Sequence, residues 1–130
     1  MDEYLKTNAS YNRLVKEYEQ YGSLVIAYDF DNTVYDFHKK GETYIYVIKL
    51  LQRLKRANCH MICFTANTDY EVIVKYLNEN DIPCDTINQN PPFFQSSARK
   101  IYFNALLDDR AGLLQVYTEL IDLLHHFKID

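Results

Sequence analysis

The chain is poor in the residues that mark several protein classes. Its 130 residues include no tryptophan, three glycines and three prolines. That excludes collagen-like and low-complexity designs, which need glycine and proline in quantity. The three cysteines, Cys59, Cys63 and Cys84, form no CxxC pair. Zinc ribbons and thioredoxin-like redox motifs therefore have no support, and the cysteines read as small buried hydrophobes in a reducing compartment. Apolar runs such as Leu24 to Tyr28 fall far short of the ~20 residues a membrane-spanning helix needs. The opening MDEYLKTNAS has no basic start leading into an apolar stretch. That predicts no secretory leader and a cytoplasmic protein without membrane contact. Surplus positive charge is missing too. The net charge is −4, so there is no strong nucleic-acid signal.

What is present suits a folded domain. With 48% hydrophobic and 25% charged residues, the chain predicts one domain spanning 1–130. Residues 2–21 read as an N-terminal helix, with Tyr11, Leu14, Val15 and Tyr18 as its apolar stripe, packed on the core by residue 22. Leu24–Tyr28 and Met61–Phe64 read as strands buried on both faces. Tyr44, Val47, Ile48 and Leu51 mark a second helix, with Arg53, Lys55 and Arg56 in its last turns, where cations suit the dipole. Thr68 and Glu71 form a capping-box pattern ahead of the stripe Tyr70, Ile73, Val74 and Leu77. Cys84–Ile87 and Ile101–Leu107 are expected as shorter strands, before a helix marked by Leu113, Tyr117, Leu120, Ile121 and Leu124. Strands alternating with helices predict an α/β protein, a three-layer α/β/α sandwich around a mostly parallel Rossmann-like sheet.

In such sheets ligands bind beyond the carboxyl ends of the strands. Asp29 and Asp31 follow the first strand, Thr65 the second, and Asp108 and Asp109 the fourth, while Lys100 precedes the fourth. Carboxylates converging there repel one another unless protons or a cation join them. An oxygen-only donor set suits a hard ion, of which Mg²⁺ is the usual one in phosphate chemistry. The Thr65 hydroxyl and the backbone N–H groups before the next helix suit phosphate oxygens. Lys100 adds positive charge for a phosphoryl group.

The run Asp29-Phe30-Asp31-Asn32-Thr33-Val34 resembles the DxDxT signature of the haloacid dehalogenase superfamily. The resemblance extends to Met61–Thr65, to Lys100 and to Ala105–Asp109, in the order of that superfamily's four motifs. It implies a Mg²⁺-dependent phosphatase or phosphotransferase. Asp29 would be the nucleophile, passing through an aspartyl-phosphate, and Asp31 the general acid and base, its backbone carbonyl on the metal. Asp108 would complete the metal ligands, with Asp109 assisting or taking over. Thr65 and Lys100 would hold the phosphoryl group. Arg99 competes with Lys100 for the third motif, since no proline follows the lysine.

Residues 34–43 leave room only for a flap and residues 66–99 for a helix, short strand and loop, so no substantial cap is expected. In that superfamily, capless members often take large substrates or use a neighbouring subunit as a lid, so an oligomer is possible here. The substrate stays open among nucleotides, sugar phosphates, phosphorylated polynucleotide ends and phosphoproteins. Two other readings compete: a non-catalytic domain binding phosphate or a partner, and a receiver-like phospho-acceptor domain, whose order of acids, threonine and lysine differs from this one. His38 is a candidate for substrate contact in the flap. Phe93 and Phe94 could anchor their loop or stack on a base.

Overall fold

Four apolar segments pair into one sheet, and their order in it decides where the polar residues meet. A computed structural model describes all of residues 1–130. The strands are β1 (Val25–Tyr28), β2 (His60–Cys63), β3 (Thr86–Ile87) and β4 (Ala105–Leu107). They lie in the order β3-β2-β1-β4, and every pairing is parallel. All four therefore end on the same side. β1 is central and buried throughout, which is why it reads as an unbroken apolar run rather than an alternating one.

The helices are α1 (Ala9–Tyr21), α2 (Ile45–Arg56), α3 (Tyr70–Glu79) and α4 (Leu113–His126). The architecture is the expected α/β one, of the three-layer Rossmann-like class, with unequal cover on the two faces. On one face Ile26, Tyr28, Met61, Cys63 and Leu107 join a core that includes Leu51 and Leu54 of α2, Ile73 of α3 and Leu120 and Leu124 of α4. On the other, Val25, Ala27 and Ile62 pack beside Leu106 of β4 and are covered by Ile101 and Phe103. That second cover is a strap of coil, since the return from β3 to β4 contains no helix.

The strap also corrects an expectation. The fourth strand begins at Ala105, not Ile101. Ile101 and Phe103 lie across the sheet face instead of extending the ladder. Asn104 marks the transition: its N–H donates to the Val25 carbonyl (2.8 Å) and its side-chain oxygen accepts from the Val25 N–H (2.6 Å). The third strand shrinks similarly to two residues, because Asp85 turns its carboxylate to the Met61 N–H (2.8 Å).

The N-terminal helix also starts later than its pattern suggests. Asn8 sits in the left-handed region (φ 63°), which interrupts any continuous helix. Glu3–Leu5 form a separate 3₁₀ turn capped by Asp2. From Ala9 onward the expected stripe holds, with Leu14 buried and Tyr11, Val15 and Tyr18 packed on the core. No helix is long and apolar enough to cross a membrane.

Candidate active site

The sheet order places the ends of β2, β1 and β4 side by side, and the acidic residues gather there. Asp29 directly follows β1, and its N–H donates to the Leu107 carbonyl of β4 (2.9 Å). The chain then turns sharply. The Phe30 carbonyl accepts from the N–H groups of Val34 (3.1 Å) and Tyr35 (3.0 Å), and Asn32 takes a left-handed conformation (φ 64°). Asparagine tolerates that region better than most residues. Fully buried Phe30 anchors the turn, stacked on Tyr35 (4.8 Å) with Tyr76 of α3 edge-on to both rings. The Tyr76 hydroxyl donates to the Val34 carbonyl (2.7 Å).

Asp29, Asp31, Thr65 and Asp109 line one open cavity of about 300 Å³. Its rim also carries Phe37, His38 and Arg110. A larger groove of about 920 Å³ runs between residues 4–12 and α4. Its walls are helix surface, where the Ser10 hydroxyl donates to Glu119, and none of the strand-end acids lines it.

Carboxylate oxygens of Asp29, Asp108 and Asp109 lie within 4.8 Å of one another. Burial pushes the Asp29 carboxyl up to about 7, helped by a hydrogen bond with Asp109 and by the charge of Asp108. Crowded acids of this kind favour a shared proton or a cation. The donor set fits Mg²⁺ in kind, being oxygen only. It fits in size after a contraction of under ~1 Å or with a bridging water, because ligands at about 2.1 Å from one ion lie at most about 4.2 Å apart. Of the two adjacent acids, Asp109 faces the cavity, whereas Asp108 Oδ1 accepts the Arg110 N–H (2.9 Å).

Asp31 stands apart from that triad. Its Oδ1 is shielded from solvent and has no hydrogen-bond partner. Its backbone carbonyl accepts from no backbone N–H, so it is free for the metal contact expected of it. An orphaned carboxylate oxygen at a cavity wall is costly unless a proton or ligand meets it.

Thr65 is buried at the end of β2. Asn88 grips it from both sides: its Oδ1 accepts the Thr65 N–H and its Nδ2 donates to the Thr65 carbonyl, each at 2.8 Å. The Thr65 hydroxyl accepts the Asn67 N–H (3.0 Å). The cap of α3 differs from the expected one. Asp69, not Thr68, is the N-cap residue, its carboxylate accepting the Val72 N–H (3.3 Å). Turn formation also uses most of the backbone donors expected to face phosphate. The N–H groups of Asn67, Asp69 and Tyr70 are committed internally, whereas Ala66 and Thr68 keep theirs.

Lys100 is not brought to this cavity. It lines a separate groove with Arg13, Asn104 and Glu119 beside β4. Its neighbours in sequence form the strap across the sheet, and that path carries the lysine away from the carboxylates. Arg99 is absent from the cavity lining as well.

Sequence reasoning passed over three contributors. Thr33 is wholly buried, its hydroxyl accepting the Asp109 N–H (3.1 Å) and donating to Asp109 Oδ1 (3.3 Å). Its place in the DxDxT run was the available signal. Asn88 carried none, because its partner is 23 residues away. Arg110 was visible only as the residue after two acids.

The flap, residues 36–41, is a short turn. The Asp36 carboxylate accepts the N–H groups of Lys40 (3.1 Å) and Gly41 (2.8 Å), and these bonds hold its carboxyl below the usual range. Gly41 takes φ 85°, a conformation that favours glycine. The turn presents Phe37 and His38 edge-to-face at the cavity rim (5.1 Å).

No family model matches the chain, and no curated protein does. Among solved structures, it is similar to a conserved protein from Bacteroides thetaiotaomicron, with a TM-score of 0.64 and 19% identity. The match covers 83% of this chain and 93% of that one. The likeness shows the fold. The chemistry rests on the site's own residues.

Proposed function

We propose that this protein is a divalent-cation-dependent phosphomonoester hydrolase working through Asp29. One observation carries the reading. Asp29 and Asp31 leave β1 on one tight turn and share a cavity with Thr65 and Asp109, from the ends of both neighbouring strands. A nucleophile, a second acid, a hydroxyl and a metal-type carboxylate set are then within reach of one phosphoryl group.

An oxygen of Asp29 attacks phosphorus as the bond to the leaving oxygen breaks, and Asp31 gives that oxygen its proton. Water then attacks the aspartyl-phosphate. Asp31 takes a proton from the water, the bond to Asp29 breaks, and inorganic phosphate leaves with the carboxylate regenerated. The shielded, unpartnered Oδ1 of Asp31 suits a group that alternates between donor and acceptor. Thr65 and the free Ala66 N–H face the phosphoryl oxygens. When bound by Asp29, Asp109 and Asp108, a cation such as Mg²⁺ would neutralise charge that develops on those oxygens. Thr33 holds Asp109 in place for it.

The test is phosphate release from a panel of nucleotides, sugar phosphates and aryl phosphates, with Mg²⁺ or with EDTA. Wild type should turn over only with Mg²⁺. Asp29→Asn should fold and be inactive, because an amide is a poor nucleophile. Release by that variant at the wild-type rate would eliminate the covalent route. A wild type that binds Mg²⁺ yet releases phosphate from no ester would leave a binding role instead.

A further inference from the structure

Hydrolysis as proposed above, on which this inference rests, brings a phosphoryl dianion into a cavity lined by acids. Even with a divalent cation bound, those carboxylates leave the entrance negative, so a fixed positive charge is needed to admit the substrate. We propose that Arg110 is that charge and grips the phosphoryl oxygens, a role the sequence pattern had suggested for Lys100.

Arg110 is the one residue with a permanent positive charge in the cavity lining. Its main chain is pinned there: its N–H donates to Asp108 Oδ1 (2.9 Å), and the Ala111 N–H donates to the Asp108 carbonyl (3.0 Å). Its guanidinium, by contrast, is uncommitted. The ion pairs of the protein are Arg13–Glu17, Lys55–Asp85 and Lys75–Glu79, and none involves Arg110. That freedom is unusual beside three carboxylates, and it has a cause. Thr33 holds Asp109, and one oxygen of Asp108 serves the turn. An exposed, unpaired guanidinium is a planar fork that matches two phosphoryl oxygens at once. Thr65 and the free Ala66 N–H share the lining with it, so the phosphoryl group has a polar donor and a cationic one in a single cavity. Lys100 lines a different groove, with Arg13 and Glu119.

The experiment titrates inorganic phosphate into the full chain with Mg²⁺ present, by calorimetry, and follows p-nitrophenyl phosphate hydrolysis in parallel. The proteins are wild type, Arg110→Ala, Arg110→Lys and Lys100→Ala, each with its melting curve. Arg110→Ala should weaken phosphate binding about 10- to 100-fold, the range for a lost charge-assisted hydrogen bond. Its KM should rise by a similar factor while kcat falls less, with melting unchanged because the side chain is exposed. Arg110→Lys should recover part of the affinity by keeping the charge without the fork. Lys100→Ala should bind phosphate like wild type.

The proposal is overturned if Arg110→Ala keeps wild-type phosphate affinity. It is overturned equally if affinity falls only together with the melting temperature, or if Lys100→Ala carries the loss. The two readings fail separately. Wild type that binds phosphate through Arg110 but hydrolyses no ester refutes the hydrolase and leaves Arg110 standing. An active enzyme whose Arg110→Ala variant binds phosphate normally does the reverse.

Discussion

Single carboxylates in this protein are governed by what surrounds them. Asp29 is raised from 3.8 to about 7, first by burial. A raised acid makes the fold most stable while it is protonated, and that contribution fades as pH climbs from about 4 through about 7. Asp29→Asn, which cannot ionise, should therefore be more stable than wild type at pH 8 in EDTA. The gain should be about 1–2 kcal/mol, discounted because solvent still reaches the group, and it should vanish near pH 4. Melting curves at the two pH values check it, and equal melting at pH 8 would contradict it.

Asp85 has the opposite sign. Burial opposes its ionisation, but Lys55 Nζ at 2.8 Å and the Met61 N–H outweigh burial and hold its carboxyl below 3.8. Its contribution is present at neutral pH and is lost as pH falls below that value. Asp85→Asn should cost about 1–3 kcal/mol at pH 7. The deficit should shrink in acid, as urea unfolding across pH will show.

At the scale of elements, the turn that carries Asp29 and Asp31 is held from outside itself. α3 supplies Tyr76, whose hydroxyl reaches the Val34 carbonyl and whose ring meets Phe30 and Tyr35 edge-on. Tyr76→Phe keeps the ring and removes the bond. The expected loss is about 0.5–1.5 kcal/mol of stability, with a fall in kcat because Asp31 rides on the same turn. Chemical denaturation and steady-state kinetics measure the two effects. A variant equal to wild type in both would show that the ring alone holds the turn. Similar reasoning explains why the cap moved to Asp69. Asn67 and Thr65 draw the preceding backbone into a tight turn, so the helix begins one residue later than the Thr68–Glu71 pattern suggests.

The whole molecule protects the two faces of its sheet unequally. Four helices contribute to one cluster, whereas Ile101 and Phe103 cover Val25, Ala27 and Ile62 on the other side. Phe103→Ala should open that face, costing about 2–4 kcal/mol, somewhat less than a fully buried phenylalanine because Phe103 is only half-buried. It should also increase self-association, since an uncovered apolar patch favours it. Light scattering and thermal melts of the variant test both. A variant that stays monodisperse and melts like wild type would mean that the strap adds little.

The sequence by itself determined the α/β class, the parallel sheet and the position of Asp29, Asp31, Thr65 and the Asp108–Asp109 pair at strand ends. These follow from local pattern. Short buried strands read as apolar runs, amphipathic helices repeat every three to four residues, and polar residues directly after a strand must lie at its end. The tertiary structure alone decided the rest. Lys100 stands in a segment without secondary structure, so its place depends on how residues 88–104 cross the sheet. Asn88 and Thr33 bond to partners distant in sequence, and Arg110 reaches the cavity through the shape of a turn. The start of β4 was likewise settled by the strap, because Ile101 and Phe103 are as apolar as strand residues and bury their side chains without joining the ladder.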